Sequence, residues 1–108
     1  MTCEPDRDAV SGAPGIGEVL EELFALLEHR RREMPEGSYT AKLLAGPQDK
    51  LLKKVGEEAS EVIIAGRDRD CDQLRYEIGD LVYHLLVLMV REGLTLDDLA
   101  VELRSRRR

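Results

Sequence analysis

From Glu18 onward, apolar residues recur at helical spacing and no stretch alternates as a half-buried strand would. Val19, Leu20, Leu23, Phe24, Leu26 and Leu27 predict an amphipathic first helix, broken by Pro35 to Gly37. Ser38 can cap a short second helix that stops at Gly46. Pro47 sits where proline is tolerated, in the first turn of a long third helix running to about Ala65. Asp70 or Asp72 caps a fourth helix that ends at Gly93, and Thr95, followed by Asp98, opens a short fifth. The pattern predicts an all-α, compact bundle of four to five helices over residues 18–104. Residues 1–17, rich in Gly, Pro, Ser and Asp, read as a mobile arm, and 105–108 as a basic tail.

At 108 residues the chain has the size of one domain, and folding would bury only roughly 65% of its surface. The fourth helix strains that small core. Ile78, Leu81, Val82, Leu85, Leu86, Val87, Leu88, Met89 and Val90 cover nearly its whole circumference, and a helix apolar all round must be buried all round. A second copy across a two-fold axis is the simplest cover, so a homodimer or higher homo-oligomer is expected.

Charged residues form 35% of the chain and the net charge is −6, which suits a soluble protein and disfavours nucleic acid as a partner. Arg104, Arg106, Arg107 and Arg108 read as a solvated tail. The longest apolar run, Leu85 to Val90, is too short for a membrane span, and the N-terminus lacks a secretory h-region. Cys3 and Cys71 make neither a disulfide framework nor a zinc site and are expected as free thiols in the cytoplasm.

The chemistry concentrates in "KKVGEEASEV" and "YEIGDLVYHLLVL". At ~100° per residue, Lys54, Glu57, Glu58 and Glu61 share one arc of the third helix. Glu77, Asp80 and His84 form one stripe of an otherwise apolar fourth helix. Carboxylates near a core repel one another and lose hydration unless a cation neutralises them. An oxygen-only ligand set suits Mg²⁺, with Mn²⁺ as a substitute. A set of surface carboxylates paired with Lys and Arg is the plainer alternative. His84 can equally be a satisfied core histidine, and Tyr83 a wall residue with its hydroxyl hydrogen-bonded.

E-E-x-x-E followed by E-x-x-D resembles the signature of the all-α, MazG-like nucleoside triphosphate pyrophosphohydrolases. Within that superfamily, "SYTAKL", "KKVGEEASEV" and "DLVYHLLVL" resemble the phosphoribosyl-ATP pyrophosphohydrolases of histidine biosynthesis across roughly residues 19–104. The resemblance implies an ATP-derived nucleotide substrate and hydrolysis of 1-(5-phosphoribosyl)-ATP to the AMP compound and pyrophosphate. It implies Glu58, Glu61, Glu77 and Asp80 as metal ligands, and Glu57 as a further ligand or the base that orients water. Lys54 would meet phosphate or balance the carboxylates. Arg30, Arg31, Ser38, Tyr39, Thr40, Lys42 and His84 would be candidates for substrate contact; for the arginines the alternative is a solvated helix C-terminus. Arg31 stands where the family usually has lysine. The resemblance also implies a dimer; this activity is often fused to a cyclohydrolase domain, for which 108 residues leave no room, so the stand-alone form is expected. Two other functions fit the residues: a house-cleaning nucleoside triphosphate pyrophosphohydrolase with the same metal site, and a helical interaction module without catalysis.

Overall fold

Three of the helices begin where a side chain supplies a partner for main-chain N–H groups that the helix leaves unpaired. The computed structural model describes residues 2–3 and 12–107. Its elements are α1 (Ile16–Glu33), α2 (Tyr39–Ala45), α3 (Gln48–Arg67), α4 (Cys71–Glu92) and α5 (Leu96–Ser105), with no strand among the described residues. The all-α bundle expected from the periodicity is therefore present. Ser38 caps α2 by accepting from the Ala41 N–H at 3.2 Å, and Asp70 caps α4 by accepting from the Gln73 N–H at 3.1 Å. Thr95 and Asp98 cap α5 reciprocally, at 3.1 and 2.9 Å. Gly93 ends α4 with φ 82°, the left-handed conformation that glycine adopts without strain. At Gly46 the requirement is space: a Cβ there would lie 2.7 Å from the Lys42 carbonyl oxygen.

Two boundaries differ from the reading of the sequence. α1 starts at Ile16, inside the span expected as an arm, and α3 continues to Arg67. Ile16 is exposed, so the first turn of α1 adds nothing to the core. Residues 4–11 of the expected arm, and Arg108 of the basic tail, lie outside the described residues.

The core joins four helices: Phe24 and Leu27 of α1, Leu43 and Leu44 of α2, Leu51 of α3, and Leu86, Val87 and Val90 of α4. α4 is its axis, packed chiefly along α3 and also against α1 and α2. α5 buries no residue completely, and Leu96 leans on the core from its first turn. Much apolar surface remains uncovered. Ile63 is 70% exposed and Tyr76 67%, with Ile64, Ile78 and Leu85 also exposed on the α3–α4 pair. The radius of gyration is 15.6 Å, against about 13 Å for a compact chain of this length.

The expectation of free thiols is corrected. Cys3 and Cys71 are joined in a disulfide, across a sequence separation of 68. Two cysteines so far apart leave no spacing signature; the pairing depends on the N-terminal segment returning to the start of α4.

Candidate active site

α3 and α4 turn three carboxylates toward one another. Glu58 of α3 and Glu77 of α4 are buried at 5% and 6% exposure, and with Asp80 they present oxygens that all lie within 4.8 Å of one another. The sequence places Glu77 and Asp80 one turn apart on α4, and the close packing of α3 brings Glu58 between them and Lys54. Lys54 Nζ lies 3.1 Å from Glu58 and 4.0 Å from Glu57. Gln73, one turn before Glu77, donates to its carboxylate at 2.6 Å.

Electrostatics divides the cluster. Burial pushes Asp80 above its ordinary range, and the neighbouring Glu58 carboxyl adds to the rise. Glu58 is pushed up by burial too, but hydrogen bonds from Asp80 and Lys54 outweigh this and hold it below the usual carboxylate range. Of the two, Asp80 is thus the member that takes up a proton more readily. Lys54 is raised, first by its hydrogen bond to Glu58. Carboxylates held this close form a site short of positive charge, and an all-carboxylate donor set of this size fits a hard divalent cation.

α2 closes one side of this cluster. His84 is 2% exposed. Its Nδ1 faces the Asp80 carbonyl oxygen at 2.7 Å and the Asp80 carboxylate at 3.3 Å. Both are acceptors, so the ring proton belongs on Nδ1 and Nε2 is left to accept from the Tyr39 hydroxyl, 2.9 Å away. Burial raises the Tyr39 pKa, and Asp80 and Glu58 add to the rise, which keeps that hydroxyl protonated. The hydroxyls of Thr40 and Tyr83 are also bonded to each other. Both nitrogens of His84 are therefore occupied within the protein.

The structure gathers Lys54, Glu58, Glu77, Asp80, Tyr39, Thr40 and His84. It leaves other expected residues at the edge. Glu57 is half exposed, Glu61 is exposed outside the carboxylate triad, and Lys42 points to solvent. The Ser38 hydroxyl is engaged as a cap. Arg31 donates to the Val90 carbonyl, which lies about 15 Å along α4 from Asp80, and Arg30 is the half-buried residue beside it. Gln73 was not anticipated; its position four residues before Glu77 on one helix face is a signal that would have revealed it.

The chain spans about half the length of several relatives it matches, and most of others. It is 51% identical over 88 residues to the histidine biosynthesis bifunctional protein HisIE of Bacillus subtilis, covering 82% of this chain and 42% of that protein. It is 45% identical over 93 residues to the phosphoribosyl-ATP pyrophosphatase of Haloarcula marismortui, covering 84% of this chain and 95% of that one. For the phosphoribosyl-ATP pyrophosphatase of Clostridium botulinum the identity is 51% over 89 residues, with 82% and 81% covered. Residues 20–107, which include every member of the carboxylate cluster and all of α2, match the sequence pattern of one family, and the chain belongs to the phosphoribosyl-ATP pyrophosphohydrolase family.

Proposed function

We propose that this chain hydrolyses 1-(5-phosphoribosyl)-ATP between its α and β phosphates, releasing pyrophosphate and the corresponding AMP compound, the second step of histidine biosynthesis. The observation that carries the reading is the clustered triad of buried Glu58 and Glu77 with half-buried Asp80, set beside the hydroxyls of α2 in a member of this family. Glu58, Glu77 and Asp80 would hold Mg²⁺, with Mn²⁺ as a substitute and Glu61 as a further ligand from the adjacent turn. When bound, the cation supplies charge to the phosphoanhydride oxygens and to the leaving pyrophosphate.

The chain's own groups do the rest. Glu57, half exposed beside the triad, orients the attacking water and accepts its proton. Lys54 offsets the carboxylates and meets phosphate. Tyr39, Thr40 and Lys42 line the substrate's sugar and phosphates, with Ser38 setting the turn from which they project. His84 contributes by holding Tyr39 against Asp80, since both its nitrogens are bonded to protein. Arg30 and Arg31 join such a site only where a second copy presents them.

We assign that second copy to the uncovered apolar face of α3 and α4, where Ile63, Ile64, Tyr76, Ile78 and Leu85 are exposed, and place the dimer in the cytoplasm. A species of about 12 kDa, folded and active in sedimentation at micromolar concentration, would remove the dimer from the proposal. The reaction is tested with a substrate panel of phosphoribosyl-ATP, dUTP, dCTP and ATP. Phosphoribosyl-ATP should be preferred by at least about a hundredfold in kcat/KM, or ~2.7 kcal/mol. Preference for a free nucleoside triphosphate would transfer the same site to a house-cleaning role.

A further inference from the structure

We propose that Arg91 is a positioning residue that fixes the last turn of α2, and with it Lys42, relative to the carboxylate cluster; this rests on the reading of that cluster as the catalytic site. The need for such a residue begins with a proline. A helix that ends at Ala45 leaves its last carbonyls without partners. The Lys42 carbonyl is served by the Gly46 N–H at 2.8 Å. The next carbonyl, that of Leu43, would look to the N–H of residue 47, and Pro47 has none.

Arg91 supplies the missing donor from another element. Its Nη1 lies 2.8 Å from the Leu43 carbonyl oxygen and 3.3 Å from that of Leu44. Leu43 and Leu44 are 2% and 8% exposed, and a buried carbonyl without a donor is costly. A cation is also favoured at the C-terminal end of a helix.

The consequence for the site follows from where α2 is tied. Its first turn is bonded to α4 through Tyr39 with His84 and Thr40 with Tyr83. Its last turn is bonded to the same helix through Arg91, two turns further along α4. α4 also carries Glu77 and Asp80. A helix of 7 residues does not persist on its own, so its register relative to the carboxylates is set by these two ties together with the packing of Leu43 and Leu44 in the core. With the Arg91 tie cut, the first-turn hydroxyls remain attached to α4 while the rest of α2, including Lys42, is freed to shift.

The test compares Arg91→Met, which keeps the apolar stem and removes the donors, with Arg91→Lys, which keeps one compact cation without the fork. KM for phosphoribosyl-ATP should rise about tenfold in Arg91→Met and by a smaller factor in Arg91→Lys, with kcat within about threefold of wild type. Amide hydrogen exchange of residues 39–46 should accelerate in the same order, while exchange in α3 and the affinity of the cluster for Mn²⁺ stay unchanged. Either folded variant with wild-type KM and wild-type exchange overturns the proposal, and so does a parallel loss of Mn²⁺ affinity, which would mean general damage. If Arg91→Met does not fold, Arg91→Lys decides by the same two readouts. A wild-type protein inert toward phosphoribosyl-ATP would instead refute the reading of the reaction, and the exchange data would still report whether Arg91 holds α2.

Discussion

The acids of α5 and the acids between α3 and α4 share helical spacing but are held in opposite ways. On α5, Asp98 and Glu102 have local partners: Asp98 accepts from the Thr95 N–H at 2.9 Å, and Glu102 accepts from Arg106 at 2.8 Å. The Thr95 hydrogen bonds hold Asp98 below the usual range. In the interior, Glu58, Glu77 and Asp80 face one another, with Lys54 on Glu58 and the neutral Gln73 on Glu77. Local pairing stabilises a helix end and needs nothing else. Mutual facing costs stability in the free protein and would be repaid by a bound cation, so what separates a capping acid from a candidate ligand is which way the other acids point.

The largest expected effect breaks that contrast directly. Asp80→Asn and Glu58→Gln should lower kcat/KM at saturating Mg²⁺ by at least about a hundredfold, ~2.7 kcal/mol, while circular dichroism stays native; the metal-free melting temperature should hold or rise in Asp80→Asn and fall in Glu58→Gln, which loses the charge paired with Lys54. Asp98→Asn, the same chemistry on α5, should leave turnover unchanged. Glu61→Gln sharpens the comparison, because Glu61 is exposed outside the triad; a loss like that of Asp80→Asn would show that it joins the ligands on loading.

Metal removal comes next. EDTA should stop turnover, Mg²⁺ or Mn²⁺ should restore it, and Zn²⁺ should do so poorly, since the site offers no thiolate. The same additions should raise the melting temperature of wild type and leave that of Asp80→Asn unmoved. Full activity in a chelated preparation would refute the assignment.

Acid and base should then act on the two regions with opposite sign. Asp98 is lowered, so its contribution is present above the ordinary aspartate value of about 3.9 and is lost as pH falls through the lowered one. Asp80 is raised, so its contribution is present below that ordinary value and is lost as pH rises through the raised one. Metal-free melts in EDTA should therefore show Asp80→Asn gaining on wild type as pH increases, and amide spectra should show α5 fraying first in acid. The smallest effect is that of Thr95→Ala, about 1 kcal/mol of stability from a lost cap, read by denaturant melts with turnover unaffected.

The same contrast explains what could be read from the chain. Caps are local, so Ser38, Asp70, Gly93 and the Thr95–Asp98 pair marked the helix ends within a residue or two. The carboxylate triad was legible because each motif occupies one face of its helix, and one packing contact between α3 and α4 completes it. Glu61 shares that face with Glu58 and still lies outside, because periodicity gives direction without depth. Arg31 was beyond reach for a different reason. Its partner, the Val90 carbonyl, is main chain on a distant helix, and no side-chain pattern announces such a bond. The disulfide was missed on the same ground, since its two ends lie 68 residues apart and no local pattern announces the pairing.

That cross-link changes what unfolding means for this molecule. With Cys3 tied to Cys71, the unfolded chain is a closed loop with a tail: α1, α2 and α3 lie inside the ring, α4 starts at the knot and α5 hangs free. Closing a ring of this size removes conformations worth about 4 kcal/mol by chain entropy, a large part of the roughly 5–15 kcal/mol by which a domain is stable. A dithiol that donates two electrons and two protons opens the ring and returns that entropy to the unfolded state without touching a carboxylate. The protein's folding free energy is thereby coupled to the thiol–disulfide balance of its surroundings, with the N-terminal segment as the coupling element.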